Sequence, residues 1–168
     1  ISIETFGYVL PHSFKSKNLK VMLCKDLRWQ RCDIKSTSLL GNVMTMNSAK
    51  EKGCDEVIMH KNNIITEGGA SNVFFSDDDC VFTPKLSKNI LPGITRELLI
   101  EEITAKGIKV KEGSYNADDL LSAKSIWLTS STKGLAQVVE IVNQKTNLEI
   151  DHKLFKECNN IFTSNFLS

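Results

Sequence analysis

The order of residues predicts an α+β fold built on a mixed sheet. Apolar runs of strand length and segments of helical period follow one another irregularly, without the repeating strand–helix alternation of a doubly wound parallel sheet. Several neighbouring strand-like runs are parted only by short polar turns, Lys61-Asn62-Asn63 and Asp77-Asp78-Asp79, and such turns join antiparallel strands. With 168 residues, 41% of them hydrophobic and 24% charged, the chain suits one domain with a sizeable core.

Composition narrows the function. The formal net charge is +1, which gives no reason to expect nucleic acid or a membrane surface as partner. No apolar run approaches the length of a membrane span. The cysteines at 24, 32, 54, 80 and 158 form no CxxC pair and are odd in number, so reduced thiols in a cytoplasmic protein are expected. The histidines at 12, 60 and 152 show no metal-ligand spacing. Ile1 stands where an initiator Met is usual, and Ile1–Lys20 mixes charges, Pro and apolar residues with no signal-peptide pattern. The chain reads as a fragment.

The elements follow in order. Tyr8-Val9-Leu10 reads as a short strand before a polar loop, Pro11–Asn18, and Lys20–Leu27 reads as a second strand. After Lys35 the period turns helical. Leu39, Leu40, Val43, Met44 and Asn47 recur at steps of three and four, Lys50–Gly53 is a stop, and Ser36 or Ser38 offers a cap. Glu56–His60, Ile64–Thr66, Asn72–Phe75 and Cys80–Thr83 read as an antiparallel meander interrupted at Gly68-Gly69. The loop Leu91–Thr95 opens a helix that Lys106-Gly107 ends, and Lys109–Glu112 is a strand. Asn116 caps a short helix, Ala117–Ser122. Strands follow at Ser125–Thr129 and Gln137–Val142. Asp151 is placed to cap a last helix showing Leu154, Phe155, Cys158, Ile161 and Phe162 on one face.

Four stretches carry residues suited to chemistry, and each has a plainer alternative. Lys35 sits between an apolar strand and a helix, where partial burial would disfavour its ammonium and favour reaction with an aldehyde. A surface lysine with its stem on the sheet is the commoner outcome. The Leu91–Thr95 loop presents backbone N–H groups at a helix start, a Gly that permits close approach, and the Thr95 hydroxyl. That set suits phosphate, or simple capping. Thr129–Thr132 is a run of hydroxyls fit for a second wall of an anion cup, or for a polar turn. Glu67 follows an apolar strand and precedes small residues. Facing inward it would need a partner such as a pyridinium N–H; otherwise it is a strand-edge carboxylate in solvent. Together they supply an amine, a carboxylate and two phosphate-binding loops, the parts a phosphate-bearing pyridine aldehyde requires.

Arg-Trp-Gln-Arg-Cys-Asp-Ile-Lys-Ser (28–36), Thr-Glu-Gly-Gly-Ala-Ser-Asn-Val-Phe (66–74), Ile-Leu-Pro-Gly-Ile-Thr-Arg (90–96) and Leu-Thr-Ser-Ser-Thr (128–132) occur in an order that resembles the pyridoxal-phosphate enzymes of fold type IV. Those are D-amino-acid aminotransferase, branched-chain aminotransferase and aminodeoxychorismate lyase. The resemblance runs from about residue 20 to the C-terminus, and Arg31–Ser36 with Leu39-Leu40 looks most like D-amino-acid aminotransferase. It implies a mostly antiparallel mixed sheet or pseudo-barrel with flanking helices. It implies pyridoxal 5'-phosphate as cofactor, held by Lys35 as an internal aldimine, with Lys35 also moving the substrate α-proton. Glu67 would pair with the pyridine nitrogen, and Arg28 would contact the phosphate. Backbone N–H groups of Ile94 and Thr95 would bind the phosphate with the Thr95 hydroxyl, and Ser131 and Thr132 would close the cup. Leu91 would pack on the ring and Asn72 would support the wall near Glu67. The reaction implied is amino transfer between an amino acid, D by the likeness, and a 2-oxo acid such as 2-oxoglutarate, in a homodimer.

Two departures qualify this expectation. Family members have a smaller N-terminal domain that supplies much of the substrate pocket, and the chain shows none. It therefore reads as residues 1–20, an interdomain linker with a first strand, followed by a cofactor-binding domain over residues 21–168. Gly69-Ala70 also stands where some aminotransferases carry hydroxyls. A branched-chain L-amino-acid aminotransferase and aminodeoxychorismate lyase stay open as alternatives. So does an isolated, inactive cofactor domain.

Overall fold

The computed structural model describes residues 4, 5, 7–9, 18–150 and 152–166. The described strands are β1 (Leu19–Lys25), β2 (Glu56–Lys61), β3 (Ile64–Gly68), β4 (Asn72–Ser76), β5 (Cys80–Pro84), β6 (Lys109–Gly113), β7 (Ser125–Ser130) and β8 (Gly134–Ile141). The helices are α1 (Leu40–Glu51), α2 (Ile94–Ala105), α3 (Ala117–Leu121) and α4 (Lys153–Phe166). The strands form a single sheet in the order β3-β2-β1-β8-β7-β4-β5-β6. Pairings β1/β2, β1/β8 and β5/β6 are parallel, and β2/β3, β4/β5, β4/β7 and β7/β8 are antiparallel. The α+β class with a mixed sheet is the observed one.

The sheet curls until its two edges meet. Ile64 of β3 bridges Asn116, just after β6. The Ile65 N–H donates to Tyr115 O at 2.8 Å and the Ala117 N–H to Asn63 O at 3.1 Å. The closure leaves an inside and an outside, both apolar. Inside, Leu19, Val21, Ile58, Val73, Ile126 and Val138 pack with Leu120 of α3, which plugs one end. Outside, α2 and α4 cover Phe74, Val81, Trp127 and Leu135, while α1 covers Val57 and Met59 through Ala49. Burial on both faces explains why β7 reads as an almost unbroken buried run.

Several expectations change. The run 56–83 is not one meander. β2/β3 and β4/β5 are separate hairpins at opposite ends of the strand order, because the turn at Gly68–Ser71 redirects the chain and β4 pairs with β7. Both glycines there permit close approach. A Cβ on Gly68 would meet Ser71 Oγ at 2.2 Å, and one on Gly69 would meet Met46 Sδ at 2.6 Å. Tyr8 and Val9 lie in no strand and are exposed, while Leu10 and the cap expected of Asp151 fall outside the described residues. Neither Ser36 nor Ser38 caps α1. Leu39 holds the cap position and no side chain bonds there, because the Leu39 N–H turns back onto Thr37 O at 2.9 Å. Asn116 does cap α3, in a reciprocal capping box with Asp119.

Candidate active site

The site begins where β1 ends. Asp26 is buried, and its carboxylate folds the following backbone around itself. It accepts the Arg28 N–H at 3.0 Å, Arg28 Nε at 2.9 Å and Arg28 Nη2 at 2.8 Å. The Thr66 hydroxyl donates to it at 2.9 Å. The two-pronged guanidinium–carboxylate geometry fixes the guanidinium plane. Arg28 Nη2 also donates to Asn89 O at 3.1 Å, and Nη1 reaches Glu67 Oε1 at 2.5 Å. The guanidinium expected on the phosphate is held in this structure by Asp26, Asn89 O and Glu67, at the carboxylate end of the site.

Glu67 is equally buried. Besides Arg28 it accepts the Leu91 N–H at 3.0 Å and Asn72 Nδ2 at 3.1 Å, both on Oε2. Asn72 Nδ2 also bonds Leu91 O at 2.9 Å, tying β4 to the loop before α2. Burial pushes the Glu67 carboxyl up to about 7, against the pull of Arg28 and the Leu91 N–H. Burial also acts to raise Asp26, but the Arg28 bonds outweigh it and hold that carboxyl below its ordinary value. Burial tends to lower Arg28, but its bonds to Asp26 and Glu67 win and raise it. Two carboxylates share one guanidinium here, so a fully ionised trio carries one uncompensated negative charge.

Arg28, Glu67, Asn72 and Leu91 line a cavity of about 340 Å³ at one rim of the curled sheet. The 28–39 connection, the turn after β3, the loop before α2 and the turn between β7 and β8 all contribute to its wall. Lys35 is the one amine in that wall. It is exposed, against the expectation of partial burial, because it lies in the open connection ahead of α1. At α2, Gly93 holds the cap position and no side chain bonds there, so the first N–H groups of the helix, at Ile94 and Thr95, take no side-chain acceptor. A Cβ on Gly93 would meet Asn72 Oδ1 at 2.2 Å, which explains the glycine. Ser131 and Thr132 are exposed on the turn after β7. Every residue expected at the site, Lys35, Arg28, Glu67, Asn72, Leu91, Ile94, Thr95, Ser131 and Thr132, contributes to this one cavity wall.

The wall suits a phosphate-bearing pyridine. Ser71 Oγ and Thr129 Oγ1 are buried, line the cavity and have no partner within the protein, so a polar ligand is what would satisfy them. The uncapped α2 terminus favours an anion. The surplus negative charge around Glu67 favours a protonated ring nitrogen. Among the described residues no group of three His, Cys, Asp or Glu could hold a metal ion, and no helix is long and apolar enough to cross a membrane.

Sequence reasoning included Ser71 and Thr129 within the Glu67 motif and the hydroxyl run, and missed Asp26 and Asn42. Asn42 Nδ2 donates to Gly69 O at 2.7 Å, holding the turn after β3 against α1. An Asp closing an apolar strand two residues before an Arg was a readable signal for Asp26. Nothing local marks Asn42.

The comparisons agree with this geometry. The family described as amino-transferase class IV matches residues 4–141. A D-alanine aminotransferase from Bacillus licheniformis is 32% identical over 144 residues, which is 86% of this chain and 51% of that protein. Another, from Listeria monocytogenes serotype 1/2a (strain 10403S), is 38% identical over 117 residues, 70% of this chain and 40% of that protein. The chain thus spans about half the length of the curated relatives it matches. Among solved structures, a fold IV transaminase from Curtobacterium pusillum superposes with a TM-score of 0.75 at 24% identity, over 85% of this chain and 52% of that one. A branched-chain amino acid aminotransferase from Thermobaculum terrenum, in its PLP form, gives 0.78 at 19% identity, over 89% of this chain and 51% of that one. Sequence motifs, a curled mixed sheet and a family match over most of the chain converge: this chain belongs to the class IV aminotransferases.

Proposed function

We propose that this chain is the cofactor-holding part of a pyridoxal 5'-phosphate-dependent aminotransferase that moves an amino group between a D-amino acid and a 2-oxo acid such as 2-oxoglutarate. The observation that carries the reading is one cavity wall holding a single amine, a buried carboxylate fixed by three donors, and an uncapped helix N-terminus. When bound, the cofactor supplies an aldehyde that condenses with amines and a ring that accepts the electron pair released at the substrate α-carbon.

The chain's own residues have the following parts. Lys35 Nζ would be the covalent anchor and would carry the proton to and from the substrate α-carbon. Glu67 would pair with the ring nitrogen and hold a proton there by its negative charge. Arg28 and Asn72 orient Glu67 from opposite sides, so Arg28 is a positioning residue. Leu91 packs on the ring. The N–H groups of Ile94 and Thr95, the Thr95 hydroxyl, Ser131 and Thr132 grip the phosphate. The cofactor-binding domain opens with β1 at Leu19.

Identities of 32% and 38% to D-alanine aminotransferases support the D-amino-acid reading over the branched-chain and lyase alternatives, which keep the cofactor and change the substrate or the reaction. Exposed Leu39, Leu40, Val43 and Met44 on α1 support an apolar partner surface, as in a homodimer. Unpaired Cys24, Cys32, Cys54, Cys80 and Cys158 support a cytoplasmic location.

The test is borohydride reduction of the protein after incubation with pyridoxal 5'-phosphate, followed by peptide mass mapping. The label is expected on Lys35 and lost in Lys35→Ala; label elsewhere in the chain sinks the assignment. Turnover of D-alanine with 2-oxoglutarate, compared with L-leucine, then decides the substrate.

A further inference from the structure

Beyond the residues facing the cavity lies a buried carboxylate that the cofactor chemistry does not use. Glu56 opens β2 and is 0% exposed. Its Oε1 accepts the Gly69 N–H and its own neighbour's, Val57 N–H, each at 3.1 Å. Its Oε2 accepts Lys133 Nζ at 2.7 Å. The two loops so joined are the turn after β3 and the turn between β7 and β8, and both border the cavity. Glu56 and Lys133 are 77 positions apart in the chain, and the sheet brings them together because β2 and β8 both flank β1.

A buried carboxylate is costly to strip of its partners, so the loop it holds does not drift. Lys133 sits in a turn closed by the Ser130–Gly134 pairing, where Gly134 takes a φ of 60°. The Lys133 N–H also returns to Ser130 Oγ at 3.2 Å. Within so short a turn, fixing the Lys133 side chain fixes Ser131 and Thr132 beside it. Gly69 is fitted to the same carboxylate: a Cβ there would lie 2.8 Å from Glu56 Oε1 as well as against Met46. The absence of a side chain at position 69 thus lets the turn settle on Glu56.

We infer that Glu56 and Lys133 form a brace that sets the spacing between the turn at Gly68–Ala70 and the hydroxyl turn at Ser131–Thr132, and so the grip on the phosphate arm of the cofactor. Both are positioning residues; neither touches the ligand. The inference rests on the pyridoxal phosphate reading.

The experiment measures affinity and off-rate of pyridoxal 5'-phosphate and of pyridoxal, which lacks the phosphate, by absorbance. It uses the protein as expressed from its gene and the variants Lys133→Met, Lys133→Arg and Glu56→Gln. Losing a charge-assisted bond predicts about a tenfold weaker hold on pyridoxal 5'-phosphate in Lys133→Met and Glu56→Gln. Lys133→Arg rescues it, and pyridoxal affinity changes by less than about threefold in every variant. Equal losses for both ligands would make the brace a general stability element and overturn the inference. So would a loss in Lys133→Met with none in Glu56→Gln, which would put the ammonium on the phosphate directly. If Lys133→Met does not fold, Glu56→Gln against Lys133→Arg carries the same comparison. A wild-type protein that binds neither compound overturns the cofactor reading itself, and the brace with it.

Discussion

Helices α1 and α4 both show apolar residues at helical spacing, yet they sit on the sheet in opposite ways. In α4 the apolar stripe faces inward. Leu154, Phe155, Cys158 and Phe162 are buried, and Phe155 packs on Trp127 with ring centroids 5.7 Å apart. In α1 the buried residues are Thr45 and Ala49, while Leu40 is 72% and Met44 64% exposed. Asn42 turns its amide to Gly69. The reason lies beneath each helix. Under α4 the sheet presents large apolar rings that need covering. Under α1 it presents Val57, Met59 and the close-fitting turn at Gly69 beside Glu56, and Ala49, Met46 and Asn42 of the helix suffice to cover them. Periodicity identifies a helix; the surface it meets decides which face packs.

Breaking the α4 side should give the largest effect. Phe155→Ala is expected to cost roughly 3–5 kcal/mol in urea unfolding, through the cavity it leaves against Trp127. A loss under about 1 kcal/mol would show that α4 contributes little to the core.

An intermediate effect belongs to the polar wall of the cavity. The Glu67 carboxyl is raised by burial from 4.5 to about 7. A group raised in this way contributes stability that is fully present below its unfolded value and is lost as pH rises through its folded one. The thermal stability of wild type relative to Glu67→Gln should therefore decline between about pH 4.5 and pH 7 and level off above it. A gap that widens over that window would contradict the burial of this carboxyl.

The smallest effect on the chain itself belongs to the exposed face of α1. Met44→Ser is expected to change unfolding free energy by no more than about 0.5 kcal/mol, because no core contact is lost. The same substitution should shift the sedimentation of the expressed protein toward smaller species if that face meets an apolar partner. An unchanged profile would remove α1 from the association surface.

Much was legible from local chemistry. Asn62 and Asn63 turn the β2/β3 hairpin with φ of 50° and 67°, and Gly107 ends α2 with φ of 86°. Asn116 caps as its type favours. The four motifs located the cavity wall, because each places its functional group within a few residues of a turn or helix start. Of the Arg28 partners, Asp26 is local, whereas Glu67 and Asn89 lie far along the chain and nothing near residue 28 names them. Glu56 and Lys133 are 77 positions apart, and their pairing is visible only once β2 and β8 flank β1.

Turn chemistry, apolar period and motif order act over a few residues, so element types, the amine at Lys35 and the family were readable from the chain alone. Strand neighbours, the inward face of α1 and the charge balance around Glu67 were settled by the fold. They depend on desolvation and on contacts between distant segments, and a carboxylate acquires its partners and its raised pKa only when the sheet closes around it.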